Sequence, residues 1–293
     1  LVRAEVEPKL HRQVLIKPNL LSSTNQLAST HVDAIRGILD FLVTAASPPE
    51  EVIIAEGANE KYSGEAFANF GYTAIQKEYT LPIRLVDLHQ ETAWAETTAI
   101  TARGAELTVR MPRLILDCPC TISLALAKTH DTCVVTLALK NMIMGAVHKA
   151  DRIHMHGYHR HAERRLPDEA QILTGNLARL ARFLSPDIAV IDGTRGLQGN
   201  GPGGDNAVDF QVVAASTDVF AVDAVIAKTM GFEPSELALN RYAEQHGLGI
   251  ADLGKIEILG AELASVIKPF LPHEKTPLQM QWAAPHLARF LAG

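Results

Sequence analysis

The stretch RQVLIKPNLL, residues 12–21, runs from an apolar core straight into a lysine, a proline and an asparagine. A short continuous apolar run bounded by turn formers predicts a buried strand. Its carboxyl end is marked by Lys17, Pro18 and Asn19. Residues 29–46, STHVDAIRGILDFLVTAA, follow it. Val32, Ile35, Ile38, Leu39 and Leu42 keep helical spacing there, with Ser29 or Thr30 available as a cap. EEVIIAEG (50–57) reads as a second strand ending at Glu56 and Gly57, residues 64–79 as helical, and IRLVDL (83–88) as a third strand. Strand, helix, strand, helix, strand is the pattern of a largely parallel sheet covered by helices.

The rest of the chain extends this pattern. Residues 97–113 alternate weakly around Gly104 and predict a hairpin or excursion. Residues 113–130, RLILDCPCTISLALAKTH, predict a long strand region, and 131–145, DTCVVTLALKNMIMG, a buried helix closed by Lys140 and Asn141. A clear amphipathic helix spans 168–184. DIAVIDG (187–193) reads as a strand with Asp192 at its end, FQVVAAS (210–216) as another, and KIEILG (255–260) as a last short one. The fold class is therefore α/β: a mostly parallel or mixed sheet with helices on both faces. We expect a single domain over residues 1–293, with room for two lobes.

Composition narrows the function. Of 293 residues, 47% are hydrophobic and 20% charged, an ordinary balance for a globular chain able to bury a core. A net charge of −6 argues against a nucleic-acid partner. No apolar run is long enough for a membrane span. The only cysteines, Cys118, Cys120 and Cys133, cannot close a disulfide framework, which points to a reducing, cytoplasmic setting. The chain opens at Leu1 without Met, so we expect an upstream segment, which leaves room for a targeting signal.

Residues 196–206, GLQGNGPGGDN, place Gly199, Gly201 and Gly204 in the spacing G-x-G-x-x-G. The preceding strand ends several residues earlier and a strand, not a helix, follows, so a dinucleotide fingerprint fails on context. A lysine followed by Ser or Thr is also missing, which excludes a triphosphate loop. Two readings remain: a nest of backbone N–H groups for phosphate or carboxylate, or a plain surface loop. In open α/β sheets ligands collect beyond the carboxyl ends of strands. That rule marks Lys17, Asn19, Glu56, Lys128, Thr129, His130 and Asp192. Lysines beside buried strands need partners. Lys17, Lys128 and Lys140 therefore either pair internally with Glu56 and Asp192 or hold an anion. Asp218 suits a helix N-cap, whereas Asp223 falls on an apolar helix face and needs a buried partner. Cys118 and Cys120 share one face of the predicted strand, but a lone C-x-C is no zinc or cluster signature; buried filler is the plainer role.

Four motifs occur in order: IKPNL, KTHDTCVVTLALKN, VIDGTRGLQGNGPGG and ASTDVFAVDAVIAKTMGF. Together they resemble the domain of unknown function 362 family, from about residue 14 to about residue 250. Many members of that family carry an attached ferredoxin-type module, which implies iron–sulfur or electron-transfer chemistry. The cysteines of that module are absent here. The resemblance thus implies no iron–sulfur cluster on this chain, and a separate ferredoxin-like partner if electrons are involved. A looser similarity is to the N-terminal domain of nickel-dependent lactate racemase. Carried over residue by residue, the resemblance singles out Lys17, Asn19, Lys128, Thr129, His130, Lys140, Asn141, Asp192, Gly199, Asn200, Gly201, Gly203, Asp218 and Asp223. The chain departs from the family just before Lys128. Ser123-Leu124-Ala125-Leu126-Ala127 lacks the usual proline at Ala125 and lysine at Leu126, which bears on pocket charge and substrate.

Residues 148–161, HKADRIHMHGYHRH, hold five of the twelve histidines: His148, His154, His156, His159 and His161. Strand spacing suits one pair and helical spacing another, so no single regular element presents all five. Arg152, Arg160, Arg164 and Arg165 are interleaved. Three readings stay open: a solvated basic loop, a grip on an anion, and a divalent metal site built on His154 and His156. The first function hypothesis is an enzyme, of oxidoreductase or isomerase type, binding a small anionic carboxylate or phosphate. Its pocket would use Lys17, Asn19, Lys128, Thr129, Lys140, Asn141, Asp223 and the loop of Gly199, Asn200, Gly201 and Gly203. His130 would serve as general acid/base with Lys128 beside it and Asp192 orienting it. The second is a non-catalytic metal- or cofactor-binding module using the histidine segment. A third is a subunit of a homo-oligomer or assembly. The first requires His130 and the lysines to converge on one pocket; the second requires several of the five histidines to do so.

Overall fold

A computed structural model describes residues 2–59, 63–101 and 103–281. Strands β1 (Gln13–Lys17), β2 (Glu51–Glu56) and β3 (Ile83–Asp87) lie side by side in parallel. The chain then leaves the sheet for a separate antiparallel hairpin, β4 (Trp94–Ile100) and β5 (Glu106–Pro112). It returns as β6 (Thr121–His130) on the opposite side of β1, again parallel. A short β7 (Val134–Thr136) turns back against β6, and β8 (Ile188–Leu197) pairs with β6 in parallel. β9 (Ala207–Val208) and the edge strand β10 (Val212–Ser216) are antiparallel to β8. The path is β10-β8-β6-β1-β2-β3. The α/β expectation of a mixed, mostly parallel sheet therefore holds.

Strand alternation sorts the core into two layers. Val14 and Ile16 face one side and pack with Ile35, Leu39 and Leu42 of the helix Val32–Val43. Leu15 faces the other, where Met142, Leu177, Leu180 and Ile226 come from the helices Ala138–Ala146, Asp168–Leu184 and Val219–Thr229. Each such residue contributes about 1.5–3 kcal/mol by burial. Lys17 is two residues beyond Leu15 and so falls on the second face, fully buried beneath the helix Ala138–Ala146. The first three strands step one way and the later two the other, so the order reverses between β1 and β6. Clefts open at such a reversal, beyond the carboxyl ends of the strands.

Several local expectations are corrected. Residues 131–145 are not one helix: β-branched Val134, Val135 and Thr136 form β7, and the helix begins at Ala138. Lys140 and Asn141 thus sit in its first turn rather than closing it. Cys118 and Cys120 precede β6 in a turn rather than lying on a strand. KIEILG is not a strand; its first residue ends a 3-10 turn, Leu253–Lys255. Glycine splits residues 64–79 into Ser63–Asn69 and Tyr72–Glu78, with Gly71 at φ +81° between them.

The helix Ala138–Ala146 is anchored by Asp223. Its carboxylate accepts from the N–H groups of Ala138 at 2.8 Å and Leu139 at 3.1 Å, meeting the need of a helix start for acceptors. Burial pushes the Asp223 carboxyl up to about 7 against the pull of those two N–H groups. An unfolded aspartate titrates near ~3.9, so the native state binds more protons between these values. Lowering the pH from 8 to 5 will therefore stabilise the wild type relative to Asp223→Asn, and Asp223→Ala will cost about 1–3 kcal/mol; urea unfolding at both pH values measures each.

Candidate functional site

At the reversal point the strand ends converge on buried polar groups. Lys17 Nζ lies 2.9 and 3.0 Å from the two oxygens of Glu56, which ends the neighbouring strand. It also donates to Pro18 O at 3.0 Å and Asn141 Oδ1 at 3.2 Å. Burial lowers the ammonium's pKa, and Glu56 opposes that. Glu56 accepts further from the N–H groups of Leu20 at 3.1 Å and Gly57 at 2.8 Å. Asn141 returns its amide to Lys17 O and Ser123 Oγ, at 3.2 and 3.0 Å. Asn19 bridges outward, donating to Asn141 Oδ1 at 3.1 Å and accepting from Lys128 Nζ at 2.5 Å. The helix must come close for this: a Cβ on Gly145 would collide with Lys17 Nζ and Glu56 Oε1.

Above this floor is a cavity of about 290 Å³, lined in part by Asn19, Glu56, Lys128, His130, Lys140 and Asn141. Its outer wall comes from the histidine-rich segment: Arg152, His156, His161 and Arg164. The positive groups are unequally compensated. Arg164 pairs with Glu169 at 2.5 Å and lies 3.5 Å from Asp131. Among the described residues Lys128 donates only to Asn19 Oδ1 and to Ala28 O, the latter at 2.9 Å. Burial, with Lys140 nearby, lowers its pKa to about 7. Arg152 donates to the backbone carbonyls of Gly57, Ala58, Gly145 and Val147 and has no carboxylate within ion-pair distance among the described residues. Lys140 has neither hydrogen bond nor ion pair among the described residues, and burial lowers its pKa.

The two inner histidines are held in opposite tautomers. His130 Nδ1 accepts from the N–H of Thr132 at 2.9 Å and of Cys133 at 3.4 Å. Asp131 Oδ1 lies 3.1 Å from the same atom. Burial, then the surrounding positive charges, keep this imidazole neutral, well below its usual pKa. Its proton therefore sits on Nε2, which has no partner among the described residues. His156 Nδ1 instead lies 2.7 Å from Glu169 Oε1. Burial lowers its pKa too. Burial raises that of Glu169, but His156 and Arg164 outweigh it and hold the carboxyl below its ordinary value. A neutral His156 donates Nδ1–H to this carboxylate and keeps its lone pair on Nε2. The arrangement is that of a histidine oriented by a carboxylate. One ring offers a donor to the cavity and the other an acceptor.

The remaining sequence candidates lie elsewhere. Thr129 Oγ1 donates to Gly199 O at 2.9 Å, fastening the glycine loop to β6. In that loop Gly199 N–H is spent on Leu271 O and Gly201 N–H on Gly199 O, at 2.7 and 2.8 Å. Pro202 reaches the cavity, while Gly199, Asn200 and Gly203 line a neighbouring opening of about 510 Å³. Asp192 accepts from Thr194 N–H at 2.9 Å and lines an apolar groove of about 790 Å³ with Leu124, Leu126 and Val190. The residue beside His130 is Asp131. Asp218 caps the helix Val219–Thr229 through Phe220 and Ala221. His154 Nδ1 lies 2.9 Å from Thr108 O, and its ring meets His159. His148 sits edge-on to Trp94. Among the described residues no group of three or more His, Cys, Asp or Glu is arranged to hold a metal ion. The sequence reading missed Glu169 and Asp131, and it named Arg152 and Arg164 only as part of the basic segment weighed as an anion grip. Glu169 carried one signal, a carboxylate opening the amphipathic helix after Pro167.

A family model described as "Domain of unknown function (DUF362)" matches residues 14–228. A thylakoid-associated protein of Synechocystis sp. is 23% identical over 238 residues, 80% of this chain and 68% of that protein. Two solved structures are similar in fold. The lactate racemase apoprotein from Thermoanaerobacterium thermosaccharolyticum has a TM-score of 0.47 and 10% identity over 74% of this chain. A structural-genomics protein from Thermotoga maritima has 0.44 and 12% over the same share. The chain spans 49% and 53% of those two proteins, about half of each. None of the described helices is long and apolar enough to cross a membrane.

Lys17→Met will leave the Glu56 carboxylate buried and unpaired and cost about 3–5 kcal/mol. The double variant Lys17→Met, Glu56→Gln will recover part of that loss, since it removes both charges. Denaturant unfolding of the single and double variants measures the coupling.

Proposed function

The chain belongs to the DUF362 family, and we propose that it is an enzyme moving a proton on a small anionic substrate, a carboxylate or phosphate, bound in the cavity at the strand ends. The observation that carries this reading is two neutral histidines of opposite tautomer facing one cavity with Lys128 and Arg152, which have no carboxylate within ion-pair distance among the described residues. Uncompensated positive charge in a desolvated cleft favours an anion. The volume, about 290 Å³, is at the small end of ligand sites. Lys128 and Arg152 hold the anion. His130 Nε2–H donates to an oxygen on which charge develops, the role of a preorganised electrophile. His156, oriented by Glu169, takes a proton through Nε2 as general base. Lys17, Glu56, Asn141 and Asn19 do not touch the substrate in this scheme; they fix the position of Lys128 and of the helix carrying Lys140.

Anion affinity will fall as the pH rises through about 7, because Lys128 loses its charge there. We expect about tenfold weaker binding of inorganic phosphate or oxalate at pH 8.5 than at pH 6, measured by calorimetry, and a flatter profile in Lys128→Met. Solvent deuterium will also enter an acidic C–H position of a bound small acid, followed by proton NMR. His156→Gln will lose this exchange while still binding the anion. Absence of anion binding at either pH, or exchange unchanged in His156→Gln, would contradict the reading.

A further inference from the structure

Three lysines border the cavity, Lys17 and Lys128 fully buried and Lys140 half-buried, and they differ in what their amines do. Lys17 is fixed by Glu56, and Lys128 by Asn19 and Ala28. Lys140 is fixed by nothing: it lines the cavity and makes no hydrogen bond or ion pair among the described residues. Its amine is half-shielded and keeps its lone pair and protons free for a ligand in the same cavity as His130 and His156. Its place in the helix is unusual as well. Lys140 is the third residue of Ala138–Ala146, within the first turn, where the backbone dipole disfavours a cation.

We propose that Lys140 is a covalent nucleophile and that the substrate is a small 2-oxo acid, held as an imine on Lys140 Nζ. This deepens the functional reading above and rests on it. The groups facing Lys140 fit the role. Arg152 and Arg164 disfavour its charged form, while Asp131 and Cys133 act the other way. Burial dominates and lowers its pKa, as a lysine nucleophile requires. The carboxylate of a 2-oxo acid meets Lys128 and Arg152. Its keto oxygen meets His130 Nε2–H, which polarises the carbonyl.

The step balances without a further reactant. The Nζ lone pair attacks the keto carbon, the carbonyl π pair moves to oxygen, and a proton passes from nitrogen to that oxygen. The resulting carbinolamine expels its hydroxyl as water, with loss of the second N–H proton, and a carbon–nitrogen double bond replaces the carbon–oxygen one. On its other side Lys140 lines a cavity of about 30 Å³, with Thr132, Asp223 and Gln279 among its walls. That volume is enough to admit a water molecule, a place for the water released. With the imine formed, the neighbouring carbon is acidified and His156 is the base in the same cavity.

The test uses pyruvate, the smallest ketone of this class, with borohydride reduction of the whole chain and peptide mass mapping. The expected result is one reduced pyruvate per chain, located on Lys140. The adduct should be absent in Lys140→Arg, which keeps a cation and a long side chain. Thermal stabilisation by pyruvate, measured separately, should persist in that variant. Stabilisation without any adduct, or an adduct on another lysine, overturns the imine and leaves the anion site standing. Neither stabilisation nor adduct overturns both.

Discussion

The ion pair between Lys17 and Glu56 is the constraint on which the site depends. Both groups are buried at the ends of adjacent parallel strands, and neither is tolerable there alone. Their pairing draws in Asn141, which ties the first turn of the helix Ala138–Ala146 to the end of β1. Gly145 lets that helix lie against the lysine, and Gly57 lets Arg152 approach the carbonyls at the end of β2. From one buried pair follow the close helix, the position of Lys140 and, through Asn19, the position of Lys128. The floor of the cavity is thus neutral, while Lys128 and Arg152 above it have no carboxylate within ion-pair distance among the described residues.

The walls come from parts of the chain with different obligations. β6 delivers His130, whose ring is fixed by backbone N–H groups of the following turn. The histidine-rich segment delivers His156, fixed by Glu169 from the next helix. Both rings are kept neutral by burial among positive charges, and their different partners assign the proton to opposite nitrogens. A donor and an acceptor therefore face one ligand without either histidine needing to titrate near neutrality.

Much of this was legible in the sequence. Lys17, Asn19, Lys128 and His130 follow apolar strands, and the rule that ligands gather at strand ends found them. The same rule misplaced Asp192. β8 runs on to Leu197, so Asp192 is mid-strand, paired in register with Leu126, and belongs to the apolar groove. Lys140 and Asn141 were recognised, but their place in the helix was inverted because Val134–Thr136 is a strand. The apolar pattern of 131–145 does not distinguish a strand followed by a helix from one helix. Of the five clustered histidines, the two that face the cavity could not be chosen from spacing. The segment folds as short turns, Lys149–Asp151, Arg152–Met155 and His161–Glu163, and only tertiary packing orients them.

The central claim is that one cavity holds a histidine donor and a histidine acceptor. Nitrogen-15 NMR of the imidazole rings, assigned with His130→Gln and His156→Gln, reads it directly. The account predicts two neutral rings at pH 7 and above, with His130 protonated at Nε2 and His156 at Nδ1. The same tautomer in both rings, or a charged imidazolium at either position at pH 7, would contradict it.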